Sequence, residues 1–377
     1  MADGRYGCER MKTRVTRTPG RARPAILWGV AVFVALQLGL ALAIELWLPG
    51  LGDPECACKM ERLRRRAGPG LTVVMAGSSR TMYGFRAGLL EKYLTRQTHG
   101  PVRVANFGML GAGPVAELLV LKRLLAAGHR PDLLLIEVLP PALAGQVPLP
   151  FEERSLAVTR VRLAELAGLA RLHFLADRLY PWSLAAWPVP CFTHRFNLLS
   201  RVVPGWLAYE VRTDRFEICD AWGWSVLAAR PRTSMEHIRA VAWNRELFMP
   251  YLTGFRSGGP SCRALGELLE VCRHSGVPAA LVLMPEATAC RGWYPPGVWE
   301  EVAGYMAGLG RAYGVPLINA REWVADADFG DPHHLLPSGA SVFTRRLGPD
   351  VLAVLRDRLP GRATPTETGG GPTASPR

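Results

Sequence analysis

Lysine is almost missing from this chain. Of its 45 basic residues only Lys12, Lys59, Lys92 and Lys122 are lysines, and the arginines are scattered, often beside Leu and Ala, with no basic stripe. A net charge of +13 would ordinarily point to a polyanion or an anionic membrane. Without a clustered basic surface, nucleic acid is excluded as a partner, because phosphate contacts need such a platform. Metal-ligand spacing is missing as well. The eight cysteines contain no Cys-x-x-Cys hook, and Cys56 and Cys58 stand too close to form one. No cofactor and no metal are therefore expected. Cys8 precedes the first apolar run and the other cysteines follow it. One or two disulfides are allowed outside the membrane, and their pairing is not readable. Extensive disorder is excluded by a hydrophobic fraction of 49%, ample for a buried core in a chain of this length. Only the low-complexity tail, 360–377, is expected to be disordered.

What is present begins with a membrane signature. Residues 25–48 are apolar apart from Gln37 and Glu45, long enough to cross a bilayer at 1.5 Å per residue. Trp47 falls where an aromatic belt is expected. Arg5, Arg10, Lys12, Arg14, Arg17, Arg21 and Arg23 precede the run and favour a cytoplasmic N-terminus, 1–24, although Lys59, Arg62, Arg64, Arg65 and Arg66 follow it. The run is too long for a signal-peptide core, and no small-residue cleavage site precedes PGLGDPE. It is read as an uncleaved single-pass anchor in the cell membrane, with the large domain extracytoplasmic.

After a charged connector, 49–70, apolar runs of strand length fall at 71–76, 102–105, 133–138, 279–284 and 315–318, separated by segments of helical period. Strands alternating with helices predict right-handed βαβ units. The expected fold is α/β, a three-layer α/β/α domain around a parallel, flavodoxin-like sheet, in two parts, 71–140 and 261–359. Between them, 141–260 reads as an insert, first helical and then rich in Trp, Pro and Arg. Trp182, Trp187, Trp206, Trp222 and Trp224 are expected to pack a small core of its own, or else to offer an aromatic surface to a sugar or a protein.

In an open α/β sheet, ligands gather at the carboxyl ends of the strands. Three loops converge there: GSSR with Ser78 and Ser79 after the first strand, NFGMLGAG at 106–113 after the second, and FGDPHHLLPSGA at 329–340 after the last. Gly-Ser-Ser alone is ordinary turn chemistry. A hydroxyl, a glycine-rich backbone and an Asp/His pair at one edge are the equipment for acyl transfer. Ser79 would attack an ester carbonyl, His334 would take its proton, and Asp331 would orient the imidazole. His333, directly after Pro332, is a rival base, and the Asp-Pro-His-His cluster has a metal-binding alternative. Arg80, Glu137 and Glu286, near the same edge, are offered as substrate contacts, with capping or ion pairing as the competing roles.

The order of these segments resembles the SGNH, or GDSL-like, hydrolase superfamily. The resemblance implies Ser79 as nucleophile in Gly77-Ser78-Ser79, Gly111 with the Ser79 N–H as oxyanion donors, and Asp331 and His334 as the Asp-x-x-His block. The family's third block, an Asn after the third strand, is absent from LPPALAG; Asn197 or an arginine of the insert could take its place. The Gly-Ser-Ser-Arg block and the anchor resemble the membrane-attached branch related to alginate-acetylation and teichoic-acid alanylation proteins. That likeness implies ester hydrolysis or O-acyl (acetyl) transfer on an extracellular carbohydrate polymer such as an exopolysaccharide, with a membrane-bound acyl-transfer partner. The alternative is a non-catalytic relative that binds a glycan or a membrane partner, which the missing Asn favours.

Overall fold

A computed structural model of the chain describes residues 22–147, 149–154, 156, 158–174, 176–227 and 234–356. The basic run before residue 22, with Cys8, and the tail from 360 lie outside the described residues.

Helix α1 (Ala22–Leu46) is long and apolar enough to cross a membrane. The charged connector at 49–70 carries α2 (Pro54–Arg65), and its charges have partners. Asp53 accepts the Cys56 N–H at 3.2 Å, capping α2, and pairs with Arg123 at 2.7 Å. Buried Lys59 donates to the carbonyls of Asn106 (3.2 Å) and Gly223 (3.0 Å). A charged stretch is fixed rather than flexible when its charges are satisfied by the folded domain.

Five parallel strands follow: β1 (Leu71–Gly77), β2 (Val102–Gly108), β3 (Leu133–Val138), β4 (Ala279–Leu283) and β5 (Leu317–Asn319), in the order β2-β1-β3-β4-β5. This is the flavodoxin-like arrangement. The helices after α2 include α3 (Ser79–Gly84), α4 (Ala87–Thr98), α5 (Pro114–Ala126), α6 (Ala176–Ala186), α7 (Arg195–Val202), α8 (Ser234–Leu252), α9 (Gly259–Ser275), α10 (Val298–Tyr313) and α11 (Pro337–Arg356), with shorter helices at Leu163–Arg171, Pro190–Thr193 and Thr288–Arg291. Side chains alternate across the sheet. Val73 and Met75 pack with Leu90 and Leu94 of α4 and Phe343 and Leu347 of α11. Val74 and Ala76 pack on the other side with Leu118 and Leu121 of α5, Leu265 and Leu268 of α9, and Val302 of α10. Both faces are covered, which is why the strands read as continuous apolar runs.

The segment 141–260 does not form a core of its own. Leu166, Leu169, Phe174, Phe248, Leu252 and Phe255 join the cluster on the α5/α9 side of the sheet, and Trp224 joins the α4/α11 side. Trp222 packs partly buried against that second cluster, whereas Trp182 and Trp206 are exposed. The tryptophans therefore divide between the main core and the surface. Cys58 of α2 and Cys219 of this segment point their thiols at one carbonyl, that of Phe216, at 3.4 and 3.5 Å, and remain free thiols.

One buried carboxylate gives the fold a pH dependence. Glu152 accepts the Val115 and Ala116 N–H groups at the start of α5 (3.1 and 3.0 Å) and the Ser261 hydroxyl (3.1 Å). Burial outweighs these hydrogen bonds and raises its pKa to about 7. Below about pH 4.3, the ordinary Glu value, both folded and unfolded chains hold the proton. As pH rises from there through 7, the unfolded chain releases a proton that the native state keeps, so stability falls across that window. Glu152→Gln is therefore expected to gain stability relative to the wild type as pH increases, read as diverging denaturation midpoints between acid and neutral buffers. Midpoints that move in parallel would contradict this assignment.

Candidate active site

The loop after β1 is organised from below by Glu137, at the end of β3. Its buried carboxylate accepts the Ser78 N–H (2.8 Å), the Ser78 hydroxyl (2.7 Å), the Thr81 N–H (3.2 Å) and the Thr81 hydroxyl (2.6 Å). Ser78 in turn caps α3, its Oγ accepting the Arg80 N–H at 3.1 Å. Gly77 is required by this approach: a Cβ there would lie 2.4 Å from a Glu137 oxygen. With Ser78 and Thr81 held inward, Ser79 is left half-buried at the first position of α3.

The opposite side is a small antiparallel hairpin that the sequence did not announce, β6 (Phe329–Asp331) and β7 (His334–Leu335). Asp331 Oδ1 accepts the N–H groups of His333 (3.1 Å) and His334 (3.0 Å). Asp331 Oδ2 lies 2.8 Å from His334 Nδ1, and His334 Nε2 lies 2.8 Å from Ser79 Oγ. The hairpin is fixed to the segment after β4 by the Ala287 N–H, which donates to the Pro332 carbonyl at 3.1 Å. Tyr83 packs edge-on against the His334 ring. Burial acts to raise the Asp331 pKa, but the hydrogen bond and charge of His334, aided by His333, hold it below the usual carboxylate value. An ionised Asp331 places the imidazole proton on Nδ1 and leaves Nε2 to accept from the Ser79 hydroxyl.

His333 is not placed for that role. It is buried edge-on against Phe248 with its ring tilted 43° to that of His334, and no hydrogen bond joins it to Ser79. Burial, and after it the neighbouring His334, pushes its pKa well below the ordinary histidine value. Asp331, His333 and His334 offer potential ligand atoms within 4.8 Å of one another. Both nitrogens of His334 already face partners, so a metal there would have to break the Asp331–His334–Ser79 chain.

Arg80, Glu137 and Glu286 lie near the site but beneath it, which corrects their placement as substrate contacts. Arg80 is buried and donates to the carbonyls of Met284 and Pro285, both at 2.9 Å, with Glu286 at 3.5 Å. Glu286 also pairs with Arg321 at 2.8 Å and accepts the Tyr294 hydroxyl at 2.9 Å. Their reason is the parallel sheet: charges at its carboxyl end are enclosed by the crossing loops and must neutralise one another. Asn197 is likewise engaged, its amide donating to the Leu51 carbonyl at 2.5 Å.

Gly111, at φ +64° in the loop after β2, lines a cleft of about 470 Å³ together with Glu55, Asn197, Arg215, Phe216 and Tyr251. Arg215 was not singled out by any motif. Its Nη1 donates to the Glu210 carbonyl and its guanidinium lies over the Phe216 ring at 4.7 Å, while its Nε is buried without a hydrogen-bond partner among the described residues.

No family model matches the chain, and no curated protein matches it. Among solved structures it is similar to a lipase/acylhydrolase from Enterococcus faecalis, at 15% identity over 78% of this chain and 100% of that one, with a TM-score of 0.32. It is also similar to a GDSL-like lipase from Bacteroides thetaiotaomicron, at 10% identity over 82% and 100% of the two chains and a TM-score of 0.35. A third, an esterase of the SGNH-hydrolase family, shares 14% identity over 78% and 100%, with a TM-score of 0.30. These are similarities of chain trace; the chemistry of the site rests on its side-chain geometry.

Proposed function

We propose that this chain is a membrane-anchored serine ester hydrolase or O-acyltransferase. The observation that carries the reading is the continuous hydrogen-bond chain from Asp331 through His334 to Ser79, with 2.8 Å at each end of the imidazole. Ser79 Oγ attacks the ester carbonyl, forming an acyl–oxygen bond while its proton passes to His334 Nε2. His334 then gives that proton to the departing alcohol, and Asp331 stabilises the imidazolium between the two steps. In the second half, water or an acceptor hydroxyl is deprotonated by His334 and takes the acyl group from Ser79, giving hydrolysis or transfer respectively.

The oxyanion formed on the way is assigned to the N–H groups of Ser79 and Gly111. No Asn follows β3, where buried Pro140–Leu143 turn instead. Arg215 is the residue we assign as the third donor, on the cleft lining it shares with Gly111. A carbohydrate polymer outside the cytoplasm is the acceptor that the motif resemblance favours, with α1 as the anchor and the basic residues ahead of it facing the cytoplasm.

A fluorophosphonate probe tests the proposal directly, since it phosphonylates only a serine activated by a base. The purified chain should be labelled at Ser79, located by peptide mass spectrometry, and Ser78 should remain unlabelled. No label on folded protein would transfer the proposal to the non-catalytic reading, a glycan-binding or partner-binding membrane protein.

A further inference from the structure

Gln37 interrupts an otherwise wholly apolar run, residues 25–44, yet it is buried. Its side-chain oxygen accepts the N–H of Cys191 at 3.3 Å. Cys191 belongs to a helical turn, Pro190–Thr193, between α6 and α7. The same face of α1, with buried Ala41 and Ile44, lines a small cavity with Ser183, Ala186, Trp187 and His194. Gln37 lies nine residues before the end of α1, or about 14 Å along the axis at 1.5 Å per residue. If α1 spans a hydrocarbon layer of about 30 Å, a group bonded to Gln37 lies within that layer.

We infer that residues 181–196 enter the bilayer beside α1 and that lipid acyl chains cover their outer surface; from Asn197, which bonds to Leu51 beyond the end of α1, the chain leaves it. This rests on the reading of α1 as a membrane span. The outward face of the segment is largely apolar: Trp182, Leu184, Phe192 and Phe196 are all 40% exposed or more. From 179 to 209 the sequence has no Asp or Glu, and its only Lys or Arg residues are Arg195 and Arg201. The Arg195 guanidinium lies over the rings of Phe192 (4.3 Å) and Phe196 (4.5 Å), as a cation does when its stem follows apolar surface towards the headgroups. Backbone groups entering lipid must be paired internally. Here the Thr193 N–H donates to Val189 O, the Trp187 N–H to Ser183 O, and the Thr193 hydroxyl to Ala186 O. The Cys191 N–H, with no such partner, is the one that Gln37 receives. Asn197 and Gly52 line the cleft that holds Gly111, so the cleft opens close to the membrane surface.

The test uses the full chain in phosphatidylcholine/phosphatidylglycerol vesicles containing a phosphatidylcholine with a diazirine on its acyl chain. After irradiation, lipid adducts are mapped by peptide mass spectrometry. Adducts in 181–196 are expected at a yield about equal to that in α1 and about tenfold above that in α10, as for a segment within the hydrocarbon layer. Adducts in α1 with none in 181–196 would overturn the inference and leave the anchor standing. Adducts in neither would remove both.

Discussion

Ser79→Ala is expected to abolish nearly all hydrolysis of a small acetyl ester, with a loss on the order of 10⁶ in turnover, the scale seen when a serine-triad member is removed. His334→Ala should lose about as much, and the double variant should be scarcely slower than either. Groups that act as one unit are not additive, because Ser79 without a base at 2.8 Å is an ordinary alcohol. Stability separates this role from a structural one. Ser79 is half-buried, and among the described residues its side chain bonds only to His334, so its removal should leave the thermal midpoint nearly unchanged. Ser78→Ala should behave in the opposite way. It removes a helix cap and a bond to Glu137, costing about 1–2 kcal/mol, while retaining most turnover. Wild-type turnover in Ser79→Ala would defeat the proposed chemistry.

The largest effect on stability is expected from Glu137→Ala. The Glu137 carboxylate receives four hydrogen bonds from Ser78 and Thr81 and lies 4.0 Å from Arg80 Nε, with both charges buried. Removing it strands the donors and leaves Arg80 with Glu286 as its remaining acidic partner. Breaking a buried pair in this way costs about 3–5 kcal/mol, which lowers the midpoint on the order of 10 °C in a domain of this size. Glu137→Gln keeps the volume and one acceptor oxygen and should lose less. Both variants should lower turnover, since Ser79 is held by the loop that Glu137 fixes. A midpoint within a degree or two of the wild type, measured by calorimetry, would show that the carboxylate does not organise the loop.

The sheet was legible because buried parallel strands leave unbroken apolar runs, and 71–76 and 133–138 fall within β1 and β3. Ser79, Asp331 and His334 could be grouped because each follows the carboxyl end of a strand of the sheet, where the geometry of the fold brings distant segments together. The carboxylates were harder. Glu137 and Glu286 stand at strand ends like substrate ligands, and only the enclosed positions of Arg80, Arg321 and Tyr294 reveal that they neutralise one another. The segment 49–70 reads as a linker because charge suggests solvent, and nothing local tells Lys59 that its acceptors are the carbonyls of Asn106 and Gly223. The tryptophans divide for the same reason: Trp224 donates its ring N–H to the Tyr83 carbonyl at 2.7 Å, far away in the chain, and Trp206 has no such neighbour.

Ser79 and His334 are 255 positions apart, and that separation orders events in the life of the chain. Synthesis from the N-terminus delivers α1 before Ser79, and Ser79 long before the hairpin that carries Asp331 and His334. β1 has both of its partners, β2 and β3, available before that hairpin is made. Until then Ser79 stands beside no imidazole, so the order of synthesis separates building the sheet from completing the hydrogen-bond chain.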